Sequence, residues 1–164
     1  MEPVTWAFIG TIVGAISSIA TTSIVNWNNF RIQKSNKLED RKERSRAFQR
    51  ETALELQSEL IEYMRCHSLS RIEDQSNFVT TGSWGSALST DLNERFRTSS
   101  AKTAVLIERI SDDELRANLK KLKGNSTNCM HAISISESDE HNTLTVDSYS
   151  KTSEMLGVVL RLNY

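Results

Sequence analysis

Apolar positions along the chain follow one continuous run and several helical stripes. Val4 to Val25 is a 22-residue stretch dominated by Val, Ile, Phe, Ala, Gly, Ser and Thr. A helix of that length rises about 33 Å, the thickness of a hydrocarbon core. Trp6 and Trp27 bracket it, where indoles favour the headgroup level. From about Lys37 to His67 the spacing of Ala53, Leu56, Leu60 and Met64, with Leu54 and Ile61 beside them, predicts a long helix. Leu88, Leu92, Phe96, Thr103, Leu106 or Ile107, and Ile110 mark another helix, and Leu115, Leu119 and Leu122 a third.

Punctuation between these stripes is uneven. Residues 75–90 read as a loop, centred on Thr80-Thr81-Gly82-Ser83-Trp84-Gly85-Ser86. Ser111-Asp112-Asp113-Glu114 has the form of a capping box, with Ser111 capping the Glu114 amide. Lys120, Lys121 and Lys123 before Gly124 are the expected stop of that helix. Cys129 to Ser136 alternates in part, so a strand, a short helix and an extended segment all stay open. Leu144, Met155, Leu156, Val159, Leu160 and Leu162 suggest a C-terminal helix. The predicted class is all-α: a single transmembrane helix in residues 1–30, a basic juxtamembrane helix in 31–50, and a small cytoplasmic helical domain in 51–164.

Charge sharpens this division. The formal net charge of -1 conceals three regions. No charge occurs from Pro3 to Phe30; residues 31–50 carry a net of +5 and residues 51–164 a net of -5. The cationic flank predicts an N-terminus outside and the remainder in the cytoplasm. A cleaved signal peptide is the competitor, with Ser18-Ile19-Ala20 as its cleavage site, but it would want Lys or Arg where only Glu2 stands. The basic segment suits either anionic lipid headgroups or an ordinary charged connector helix. Gly10, Gly14, Ser18 and Thr22 recur every fourth residue, a stripe expected to let helices of identical copies approach closely.

Catalytic chemistry finds little support. The chain holds no nucleophile elbow, Walker A loop, dinucleotide fingerprint or HExxH. Cys66, His67, Cys129 and His131 do not have the spacing of a structural zinc site. Asp112, Asp113, Glu114, Asp139 and Glu140 sit at apparent helix starts, where the helix dipole accounts for them. The expectation is a protein that is not an enzyme, with no metal and no cofactor. From residue 51 onward only six aromatics face 27 Ser and Thr. So thin a core invites stabilisation by assembly into a homo-oligomer.

Binding is the better-supported class. Trp84 in its glycine-flanked loop offers a stacking surface, and Arg95, Arg97 and Lys102 follow it as cations for phosphate. Lys120, Lys121 and Lys123 before a polar turn at Gly124 to Asn128 are the reserve site. The net of -5 disfavours long nucleic acid but allows a small anionic nucleotide. An apolar N-terminal run, the basic segment from Arg31 to Arg50 and a helical remainder without catalytic motifs resemble, as an architecture, the membrane-anchored cyclic-oligoadenylate-binding effectors of type III CRISPR antiviral defence. That resemblance implies a bacterial inner-membrane protein whose helical domain binds cyclic tetra-adenylate and which perturbs the lipid bilayer. The alternative is a non-sensing tethered scaffold that grips another protein.

Overall fold

The structure, a computed structural model, describes residues 3–85 and 87–163, with side chains from Gly10 onward. Glu2, Ser86, Tyr164 and the side chains of Trp6 and Phe8 lie outside the described residues. Among the described residues the chain is all-helical: α1 (Pro3–Thr81), α2 (Thr90–Arg109), α3 (Asp113–Met130) and α4 (Ile135–Leu162). It divides into two units, Met1–Ser45 and Arg46–Tyr164.

In the first unit every described residue from Gly10 to Ser45 is exposed. The expected transmembrane anchor is overturned here: among the described residues no helix is long and apolar enough to cross a membrane. The single-pass placement, N-terminus outside and helical domain in the cytoplasm, falls with it. The physical reason is dilution: Gly10, Thr11, Gly14, Ser17, Ser18, Thr21, Thr22, Ser23 and Asn26 alternate with the Ile and Val positions between Gly10 and Trp27. Thr21 and Thr22 donate their hydroxyls back to the carbonyls of Ser17 and Ser18, both at 2.8 Å.

The second unit is a four-helix bundle made of the end of α1 and all of α2, α3 and α4. Glu62 pairs with Arg95 and Glu59 with Lys102, so α1 and α2 run antiparallel. Lys123 reaches Ser100 between α2 and α3; Asn125 reaches Ser148 and Cys129 reaches Ser138 between α3 and α4. Arg71–Asp139 and His67–Asn142 close α4 onto α1. The order is up-down-up-down, as short connections dictate.

Alternating three- and four-residue spacing selects the buried positions. Leu56, Leu60, Tyr63, His67, Ser70 and Asp74 are the stripe of α1, and Leu115, Leu119, Leu122, Ser126 and Cys129 that of α3. One half of the bundle is therefore apolar, where Leu56 and Leu60 meet Leu106, Ile107, Leu119 and Leu156. The same stripes become polar in the other half, at His67, Ser70, Asp74, Ser126 and Ser138.

Helix boundaries correct several sequence expectations. Helix α1 continues through residues 75–81 because no Pro or Gly interrupts the chain between Val25 and Gly82. There φ reaches +74° and the Gly82 amide donates to Phe78 O at 2.8 Å. The cap of α3 is Asp112 rather than Ser111: its carboxylate accepts from the Leu115 amide at 2.7 Å. Ser111 instead donates its amide to Gln49 Oε1 at 2.9 Å. Gly124 does not stop α3, which runs to Met130 because Ser126 and Cys129 prolong its buried stripe. The ambiguous segment resolves into a turn followed by a capping box. Ser134 Oγ accepts from the Glu137 amide at 3.2 Å, and Glu137 accepts from the Ile133 amide at 3.0 Å.

Candidate functional site

The four cation and stacking candidates are distributed over separate surfaces. Arg95 and Lys102, a heptad apart, share the face of α2 that meets α1. They line a groove of about 290 Å³ with Glu59, Glu62 and Glu94. Arg95 lies 2.7 Å from Glu62 and Lys102 3.3 Å from Glu59. The Arg95 hydrogen bond holds the Glu62 carboxyl below its ordinary value, and Glu62 raises Arg95 in return. These charges are already matched within the bundle.

Two residues turn a helix by about 200°, so Arg97 leaves that face. It lines a second groove of about 500 Å³ between α2 and α3. Its guanidinium grips Glu94 through two hydrogen bonds, at 3.0 and 3.1 Å. Trp84 reaches neither groove. Half-buried, it packs edge-on against Phe78 with ring centroids 6.1 Å apart.

The second groove joins apolar walls to cations. Leu88, Phe96 and Met130 supply the walls, and Asn93, Arg97, Lys123 and His131 the polar rim and floor. Phe96 is fixed from behind by stacking on Tyr63 at 5.3 Å. Lys123 is half-buried; its Nζ donates to Ser100 O at 2.7 Å and stands 5.9 Å from the Tyr63 ring centroid. Among the described residues no carboxylate pairs with it, and burial pushes its ammonium below the ordinary lysine range. A partly desolvated cation facing an open groove is a site for an anion.

Lys123 was legible as a cation, but its neighbours were not. Phe96 read as part of a helical stripe, and it meets Lys123 only through antiparallel pairing of α2 and α3, while Met130 lies a heptad beyond Lys123 on α3. The polar turn expected at Gly124 to Asn128 after Lys120, Lys121 and Lys123 does not form. Those residues are helical, and Lys120 pairs with Glu108 at 2.8 Å.

A separate buried network occupies the polar half. His67 Nε2 donates to Asn142 Oδ1 at 3.2 Å, so Nδ1 of the neutral ring accepts the Ser126 hydroxyl at 2.9 Å. Burial lowers the His67 pKa, with Arg71 adding to that effect while the Asn142 bond opposes it. Ser, His and Asn in sequence resemble a nucleophile, base and orienter. Yet Ser126 and His67 are fully buried, so no substrate carbonyl can approach Ser126 Oγ. The trio is a tie between α1, α3 and α4.

Cys66 and Cys129 are free, buried thiols, and burial is the main cause raising both above the ordinary range. Among the described residues no three His, Cys, Asp or Glu side chains group as metal ligands would. Compared with family models, with curated proteins and with solved structures, this chain finds no match.

Proposed function

We propose that the four-helix unit is a binding module for a small anionic ligand with a flat apolar body, of the nucleotide class, seated between α2 and α3. The observation that carries this reading is Lys123, a half-buried ammonium with no carboxylate partner among the described residues, on the floor of a groove walled by Phe96 and Met130. Lys123 meets phosphate, and Arg97 joins it by leaving its exposed partner Glu94; Phe96, Leu88 and Met130 cover the base; Asn93 is placed to read a polar edge. The groove volume suits one nucleotide-sized ligand. A ring of four nucleotides, as in cyclic tetra-adenylate, exceeds one groove and would have to be shared between copies. Long nucleic acid does not fit the net of -5 in residues 51–164.

Isothermal titration of the full chain against mononucleotides, cyclic dinucleotides and cyclic tetra-adenylate tests this. At least one should bind, with affinity falling as salt rises. Lys123→Met should weaken binding by at least tenfold, the loss of one charge-assisted contact to phosphate. If the whole panel fails to bind at millimolar concentration, the module is a scaffold rather than a sensor.

A further inference from the structure

Of the eight lysines in the chain, Lys123 alone is not exposed. The α2–α3 groove owes its room to small side chains: α2 presents Ser100, Ala101 and Ala104 there, and Lys123 enters from α3. Its Nζ is tied to Ser100 O at 2.7 Å. Arg97, one turn earlier on α2 and about 4.5 Å away along the helix axis, lines the same groove. Phe96, stacked on Tyr63, and Met130 give the amine an apolar setting. Among the described residues no carboxylate pairs with it, whereas Lys102 and Lys120 are held by Glu59 and Glu108. Desolvation and a nearby cation are what turn a lysine into a nucleophile, because both favour its neutral form. Burial lowers the Lys123 pKa, so more of the amine is neutral near pH 7.

We propose that Lys123 forms an imine with a phosphorylated aromatic aldehyde seated in the α2–α3 groove, with Arg97 taking the phosphate. This ligand uses the same anion groove as the nucleotide reading, on which it rests, with Lys123 as nucleophile instead of phosphate contact. The Nζ lone pair attacks the aldehyde carbon, a C–N bond forms and the C=O bond opens to a carbinolamine. Loss of water then leaves the C=N bond. Ammonium and aldehyde become iminium and water, with no net change in protons or electrons. The positive charge stays where the ammonium stood, and the flat ring lies against Phe96 and Met130. An aldehyde and a phosphate ester on neighbouring positions of one ring match an amine tied at Ser100 and a guanidinium rooted at Arg97.

Pyridoxal 5′-phosphate is the probe. The full chain is incubated with it at pH 7, the imine is fixed with borohydride, and peptide mapping gives the rate at each lysine and at the N-terminal amine. Lys123 should be labelled at least about tenfold faster than any exposed lysine. Pyridoxal, which lacks the phosphate, should lose most of that preference, and so should Arg97→Gln with the phosphate ester. Lys123→Arg keeps the cation but forms no imine, so it should lose the fast label and still bind a nucleotide found by titration. Labelling of Lys123 no faster than of Lys121 or Lys151, or equal preference for pyridoxal, would overturn the imine while leaving nucleotide binding standing. Fast, phosphate-dependent labelling of Lys123 in a chain that binds no nucleotide would support the imine and overturn only the nucleotide as occupant.

Discussion

Ser126 donates its hydroxyl to Nδ1 of His67 at 2.9 Å in the interior of the bundle, joining α3 to α1. The bond needs an imidazole that can accept at Nδ1, because Nε2 is committed to Asn142. Protonation removes that acceptor and places a charge where burial penalises it.

The consequence is a pH-dependent stability of definite sign. The folded-state pKa of His67 is lowered, mainly by burial, so the unfolded chain takes up the proton first as pH falls. The contribution of neutral His67 is complete above the ordinary imidazole value of about 6.5 and is lost as pH falls below it, towards the depressed folded value. Thermal melting at a series of pH values from 8 to 5 should show the midpoint falling with pH. His67→Gln should melt lower at pH 8 but with a flatter slope, and an equal slope would assign the pH dependence to another group.

Asp74 has the opposite sign. It is 6% exposed, its Oδ1 has no hydrogen-bond partner among the described residues, and burial followed by the Glu73 charge raises its pKa. A raised carboxylate favours the fold below its unfolded value of about 3.9 and loses that contribution as pH rises, so at pH 7 the ionised form is a burden. Asp74→Asn removes the charge at constant shape. Its thermal midpoint at pH 7 should rise by about 2–4 °C, the response to roughly 1 kcal/mol in a chain of this size. A fall would show that the carboxylate is held by water.

Gly124 offers a cleaner stabilisation. It lies inside α3, and an added Cβ meets nothing within 4 Å. Gly124→Ala should therefore stabilise the bundle by about 0.5–1 kcal/mol through helix propensity alone. Urea denaturation reads this as a higher midpoint with an unchanged slope.

That same glycine marks where the sequence was ambiguous. The stripes of Leu56 and Leu60, of Leu92 and Leu106, and of Leu115 to Leu122 were legible because they are apolar at helical spacing. Helix α3 continues past Gly124 on Ser126 and Cys129, small residues that carry no such signal until their partners His67 and Ser138 are in place. The Ser134–Glu137 capping box was present in the chain but hidden by the alternation of Ile133 and Ile135. Val4 to Val25 misled because its Ile and Val stand out while Gly10, Thr11, Gly14, Ser17, Ser18, Thr21, Thr22 and Ser23 dilute the run. Arg95, Arg97 and Lys102 are neighbours in sequence, yet helical rotation sends Arg97 to a different groove. No linear pattern brings Phe96 to Lys123, although Met130 stands a heptad after it on α3.

Lys123 finally ties stability to ligand. Its ammonium is partly desolvated, which lowers its pKa, and among the described residues no carboxylate offsets the charge. Side chains kept for binding often cost stability in the free protein. Lys123→Met preserves length and apolar contact with Tyr63 while removing the charge, so the ligand-free bundle should melt higher than the wild type at pH 7. A ligand of the α2–α3 groove present at a hundredfold excess over its Kd adds about 2.7 kcal/mol to the wild type, a rise of about 5–10 °C. The variant should show little of that rise. The order of the two proteins then reverses: the variant is the more stable alone, the wild type the more stable with ligand. Differential scanning fluorimetry with and without a nucleotide that binds in titration resolves this crossing. If Lys123→Met instead melts lower in both conditions, Lys123 serves chiefly to hold Ser100 and Tyr63, and the groove's anion must be sought at Arg97.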